Sequence, residues 1–240
     1  MILRSLFILF ILSIGCTKAD DVASKKSTLK ILFVGNSLTY TNDLPQLVQE
    51  MGKHDSVSIE YTTFLFPNYS LEDHWNEGKV QKAIETGRYD FVVAQQGPSA
   101  LPESQVLLLE YTRRLAEVCK KNNASMAIYM VWPSSTRFLD LDNVIYSYTQ
   151  AAKQTQSLLC PAGLAWKYAW QSTPSLPLYG NDNFHPSMTG SLLAAFTVYG
   201  TLTNKANFDF LAAGKPSWSN EISAKNLELL KRAALKAMEK

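Results

Sequence analysis

Apolar residues along this chain recur with two different periods. Runs such as Ile31-Leu32-Phe33-Val34 and Phe91-Val92-Val93-Ala94 are apolar at every position, short and largely β-branched or aromatic, as strands buried on both faces are. Between such runs lie longer stretches in which apolar residues return every three or four positions, the signature of helices with one buried face. The pattern predicts strands at about 29–35, 57–64, 90–95, 125–131 and 157–161. It predicts helices at about 43–54, 70–87, 103–122, 140–156, 187–203 and 219–239. Strands alternating with helices favour an α/β fold, a parallel sheet covered by helices. In the last helix, Leu227, Leu229 and Leu230 share one face while lysines occupy the other, which predicts packing on the domain, with a membrane-surface role the lesser alternative.

Composition narrows the class. With 240 residues, 46% of them apolar, the chain can bury the core of one enzyme-sized domain, and no repeat or low-complexity segment divides it. The formal net charge is only +2 and basic residues are interspersed with acidic ones. No basic run interleaves with aromatics and no Cys/His spacing of zinc type occurs, which argues against nucleic acid as a partner and against a metal site.

The amino terminus carries an address. Arg4 precedes the apolar stretch Leu6 to Ile14, too short to span a bilayer and suited to a signal-peptide core, which assigns residues 1–15 to a signal peptide. The stretch ends at Gly15-Cys16, which resembles a bacterial lipoprotein lipobox, although Ser13 and Ile14 replace the usual leucine and small residue. The resemblance implies export to the cell envelope, lipidation of Cys16 and a stable membrane anchor, with 16–28 as a polar tether before a domain at 29–240. An ordinary cleaved secretory signal, leaving a periplasmic or secreted protein, is the alternative. Cys119 and Cys160 are either a disulfide or two buried thiols, and the sequence leaves that open, as it does the oligomeric state.

Chemistry concentrates at two places. Gly35-Asn36-Ser37-Leu38-Thr39 closes the first predicted strand, so Ser37 sits where open α/β sheets carry their ligand crevice. Asp182-Asn183-Phe184-His185-Pro186 places a carboxylate three residues before a histidine, a spacing suited to the acid and base of a serine hydrolase triad. A serine hydroxyl needs a neutral imidazole to take its proton and a carboxylate to orient that imidazole. Either motif alone is usually a turn or a loop; together they are far more specific. Only three histidines compete for the role of base, and His54 and His74 read as surface or packing residues. Trp132 and Ser134, at the end of another predicted strand, read as a core aromatic and a turn, with substrate contact the alternative.

With these blocks the chain resembles the GDSL/SGNH hydrolases, whose first block reads Gly-Asp-Ser-Leu and whose last reads Asp-x-x-His-Pro. Asn36 stands in place of the usual aspartate, which is not a triad member in that family. The resemblance spans about Leu29 to Thr203 and implies a three-layer α/β/α sandwich with a parallel five-stranded, flavodoxin-like sheet. It implies Ser37 as nucleophile, His185 as base and Asp182 as its orienting acid, with no metal or organic cofactor. The family's second block most resembles Phe66-Pro67-Asn68-Tyr69-Ser70, with Asn68 in the position of an oxyanion-hole glycine. The third most resembles Phe91-Val92-Val93-Ala94-Gln95-Gln96-Gly97-Pro98-Ser99, where an asparagine is expected and Gln96 offers the same amide chemistry, with Gln95 and Ser99 as fallbacks. The oxyanion hole implied is the backbone N–H of Ser37 and of Asn68 with the Gln96 amide. The α/β-hydrolase elbow, Gly-x-Ser-x-Gly, fits badly because Thr39 occupies the second glycine position. The resemblance thus implies a serine esterase working through an acyl-enzyme, with small acyl groups on carbohydrate favoured. A lipase or lysophospholipase, and a non-catalytic carbohydrate-binding lipoprotein on the same fold, are the alternatives.

Overall fold

Burial of the all-apolar runs on both faces sets the architecture. The computed structural model describes residues 28–212 and 216–239. Five strands, β1 (Leu29–Gly35), β2 (Ile59–Leu65), β3 (Phe91–Ala94), β4 (Ser125–Tyr129) and β5 (Leu158–Cys160), form one all-parallel sheet in the order β2-β1-β3-β4-β5. Ile31 to Val34 at its centre are wholly buried, whereas β2, at the edge, exposes Glu60, Thr62 and Thr63. The helices are α1 (Ser37–Tyr40), α2 (Leu44–His54), α3 (Leu71–Glu77), α4 (Lys79–Gly87), α5 (Pro102–Lys121), α6 (Leu141–Thr155), α7 (Ala162–Ser172), α8 (Met188–Thr203) and α9 (Ala224–Met238). The set α2, α7, α8 and α9 packs together on one side and α3, α4, α5 and α6 on the other, giving the expected three layers of an SGNH/flavodoxin-like fold.

The strand order carries the functional information. From β1 the chain steps outward to β2, then crosses back over β1 to β3 and continues in the other direction. The β1/β3 junction is therefore a topological switch point, where two connections diverge and leave a crevice at the carboxyl ends of the strands. The turns holding Ser37 and Gln95-Gln96 lie at this junction.

Three expectations need correction. The helix expected at 70–87 is two helices, because Gly78 takes a left-handed conformation (φ 71°) that ends α3 and lets the chain turn into α4. The last helix begins at Ala224, not at 219, where Ser223 caps it by accepting the Asn226 N–H. Helix α7 is absent from the expected set: its buried residues Ala162, Ala165, Trp166 and Ala169 do fall at helical spacing, but Leu164, Tyr168 and Trp170 on its less buried positions are apolar too, so the sequence shows no polar face to set them off. Cys119, on α5, and Cys160, on β5, are both free and buried. The signal peptide, Cys16 and the tether to residue 27 lie outside the described residues.

Candidate active site

The Ser37 turn is held from below by groups that the strand ends bring together. Asn36 caps α1, its Oδ1 accepting the Leu38 N–H at 3.1 Å, and Ser37, 9% exposed, is the first residue of that helix. An N–H at that position has no partner inside the helix. Gln95, fully buried beyond β3, accepts the Asn36 N–H at 3.0 Å and the Thr39 hydroxyl at 2.8 Å on its Oε1. A Cβ at Gly35 would lie 2.5 Å from that same Oε1, so glycine leaves room for the Gln95 amide in this position. His74, also buried, donates its Nε2–H to the Gly35 carbonyl at 2.8 Å, which fixes its tautomer. Burial pushes its pKa down, so it is held neutral.

The second block folds against the first. Asn36 Nδ2 donates to the Tyr69 carbonyl at 2.9 Å, and Tyr69 N–H closes a turn onto the Phe66 carbonyl. Within that turn Asn68 is left-handed (φ 64°), a conformation natural to glycine and, among other residues, best tolerated by asparagine. This explains how asparagine can stand where the family resemblance leads one to expect glycine. Among the described residues the Asn68 N–H makes no hydrogen bond.

The third block is more heavily tied than its sequence suggests. Gln96 Oε1 accepts from the Leu71 N–H, while Nε2 donates to Ser99 Oγ at 3.1 Å and to the Ser104 carbonyl at 3.3 Å. From α6, Tyr148 donates to the Gln96 carbonyl and Ser147 to the Ser99 carbonyl, clamping the turn.

His185 and Asp182 meet directly. The His185 Nδ1–H donates to Asp182 Oδ2 at 2.5 Å, and Asp182 Oδ1 accepts the Phe184 and His185 N–H groups at 3.0 and 2.9 Å. These bonds, the histidine's first, draw the Asp182 carboxyl down to about 2. With Nδ1 committed to the carboxylate, the neutral imidazole carries its lone pair on Nε2. The loop is fastened by Trp132, whose indole N–H donates to the Phe184 carbonyl, and by Asn42, which donates to the Pro186 carbonyl at 3.0 Å. Trp132 is itself fully buried and stacked on Trp166, so it positions the loop and does not face solvent.

Asn42 follows α1, so its bond brings the His185-Pro186 segment against the Ser37 turn. The immediate neighbours of Ser37 and His185, Asn36 and Phe184, line one cavity of about 470 Å³ together with Asn68, Gln96, Ser99 and Ser134. No hydrogen bond joins Ser37 to His185 among the described residues, and catalytic contacts of this type commonly tighten only when substrate binds. Sequence reasoning missed the ion pair of Arg137 and Asp140 on the cavity wall and the clamp from Tyr148, for which no local motif exists. His74 was recoverable: Leu71 and His74 recur at helical spacing just after the capping box of Ser70 and Asp73, so both fall on the buried face.

No protein-family model matches the chain, and neither does any curated protein. Solved structures do. A DUF4886 family protein from Bacteroides uniformis superposes with a TM-score of 0.74 at 17% identity, covering 88% of this chain and 95% of its own. A protein from Slackia heliotrinireducens described as an SGNH hydrolase gives 0.62 at 24% identity, covering 73% and 100%. A family 3 carbohydrate esterase from Clostridium thermocellum gives 0.58 at 14% identity, covering 74% and 96%. The chain therefore shares the fold of solved SGNH hydrolases and carbohydrate esterases.

Proposed function

We propose that this chain is an SGNH-type serine esterase that removes small acyl groups, acetyl above all, from carbohydrate, and that it is exported and lipid-anchored through Cys16. The observation that carries the esterase reading is the Asp182–His185 pair, bonded through His185 Nδ1 on a loop pinned against the Ser37 turn. Ser37 Oγ attacks the ester carbonyl while His185 Nε2 takes its proton, and Asp182 stabilises the resulting imidazolium. The tetrahedral oxyanion receives the N–H groups of Ser37 and Asn68 and the Gln96 amide, which gives up its long 3.3 Å bond to Ser104 in exchange. His185 then protonates the departing alcohol, and water, activated by the same nitrogen, frees the acid from Ser37. The cavity's mix of amide, hydroxyl and guanidinium groups, and the fold shared with a carbohydrate esterase, support a sugar as the alcohol portion.

A second reading, hydrolysis of longer acyl esters, draws on Leu101 and Leu107, both exposed on the wall of the same cavity. The decisive measurement is turnover of short-chain p-nitrophenyl esters by the wild type and by Ser37→Ala. Loss of several orders of magnitude in kcat with an unchanged melting temperature is expected. A variant keeping more than about a tenth of wild-type kcat overturns the assignment.

A further inference from the structure

A second cavity, of about 770 Å³, is walled in part by the same two segments as the first. Ser134, Arg137 and Phe184 line the first, and their sequence neighbours Ser135, Phe138 and Asn183 line the second. The Ser135 N–H donates to the Asn183 carbonyl at 2.9 Å, stitching the two segments into one ridge. A ligand long enough to cross that ridge occupies both.

The lining of the second cavity points to the ligand's chemistry. Trp170 packs edge-on to Phe138, with centroids 5.3 Å apart and planes at 74°, and lies tilted against Tyr179 at 5.4 Å. The polar ends of this cluster are already committed, Trp170 Nε1 to the Leu176 carbonyl at 3.0 Å and the Tyr179 hydroxyl to the Pro133 carbonyl at 2.6 Å. What remains available is rigid aromatic surface, with Phe138 44% exposed. Around it stand the exposed amides of Gln171 and Asn183 and the Ser135 hydroxyl. The cation in this wall, Lys167, is neutralised by Asp142 at 2.5 Å, so nothing here selects an anion. Aromatic faces with uncharged hydrogen-bonding groups at the rim match a neutral sugar ring, whose C–H face stacks while its hydroxyls bond the amides. An acyl chain would make no use of those amides.

We propose that this cavity binds a sugar unit of the same substrate, so that the preferred ester is carried on an oligosaccharide spanning the ridge and not on a lone monosaccharide. The inference rests on the esterase reading and extends it. Acetylated xylose, xylobiose and xylotetraose, with p-nitrophenyl acetate as the short reference, form the test set for the wild type, Phe138→Ala and Gln171→Ala. The wild type is expected to gain about tenfold or more in kcat/KM from the monosaccharide to the tetraose, as remote binding energy is used. Phe138→Ala should lose about tenfold on the tetraose and stay within about twofold on p-nitrophenyl acetate, with Gln171→Ala smaller in the same direction. Equal kcat/KM across sugar lengths, or an equal loss on both substrates, overturns the proposal. So does a gain from p-nitrophenyl acetate to p-nitrophenyl decanoate that Phe138→Ala abolishes, since the cavity then takes an acyl chain. Should the wild type hydrolyse no ester, the esterase reading fails on its own, and tryptophan fluorescence with unmodified xylotetraose decides the binding site. Quenching lost in Phe138→Ala supports it, and absence of quenching in the wild type refutes it.

Discussion

Asp182 is more than a charge beside a histidine. Its two oxygens are divided, one receiving the imidazole and the other two backbone N–H groups, so the carboxylate is locked before it orients anything. Replacing it by asparagine keeps the shape but presents an amide that can donate to Nδ1, which moves the imidazole proton to Nε2 and removes the base. Asp182→Asn should therefore lower kcat by about 10⁴-fold with KM little changed, checked by steady-state kinetics on a p-nitrophenyl ester. The acid behaviour follows from the direction of the shift. The folded carboxyl titrates at about 2 against 3.8 for an unconstrained one, so its stabilising contribution is present above 3.8 and is lost as pH falls through about 2. The wild type should lose that increment of denaturant stability in acid, and the Asp182→Asn variant should show no such component. The contact itself is legible in the sequence because its partners stand only three positions apart. The supports contributed by Gln95, His74 and Trp132 are not, since each meets its partner from 39 to 59 residues away.

At the scale of elements, long strands and one-sided helices could be read and everything defined by tertiary burial could not. Strand β1 announces itself because a central parallel strand is apolar on both faces. Helix α7 buries one face at helical spacing, but Leu164, Tyr168 and Trp170 outside that face are also apolar, so the sequence alone shows no contrast between its sides. The connection after β3 shows how an element's end acquires a role. Gln95 and Gln96 are adjacent and chemically identical, yet Gln95 holds the Ser37 turn from within the core while Gln96 stands on the cavity wall. Gln96→Ala should lower kcat by about 10²-fold or somewhat less, with KM little changed, because its donation strengthens only as the oxyanion forms. Gln95→Ala leaves the Asn36 N–H and the Thr39 hydroxyl buried without an acceptor, and should cost about 1–3 kcal/mol in denaturant unfolding. Reversal of the two phenotypes would make Gln95 the donor. A loss under about threefold in both would leave Ser99 or the backbone to fill the hole.

The whole molecule sets the direction in which the site faces. Strand β1 enters the sheet at Leu29, on the edge opposite the carboxyl ends that carry Ser37, and seven residues of strand separate the two by about 20 Å. The amino end of β1 therefore lies on the side of the sheet away from the candidate active site. If Cys16 carries lipid, as proposed, anchoring and catalysis should separate cleanly by mutation. Cys16→Ser is expected to move the protein from the detergent-dependent membrane fraction to the soluble one, because acylation at that residue supplies the anchor. At the same time kcat/KM on a soluble ester should stay within about twofold, since the substitution lies beyond the tether and touches none of the four loops that build the site. Unchanged partitioning of Cys16→Ser would refute the anchor. Partitioning that shifts together with a large loss of turnover on the soluble ester would refute that independence, because residue 16 would then have to act on the catalytic edge itself.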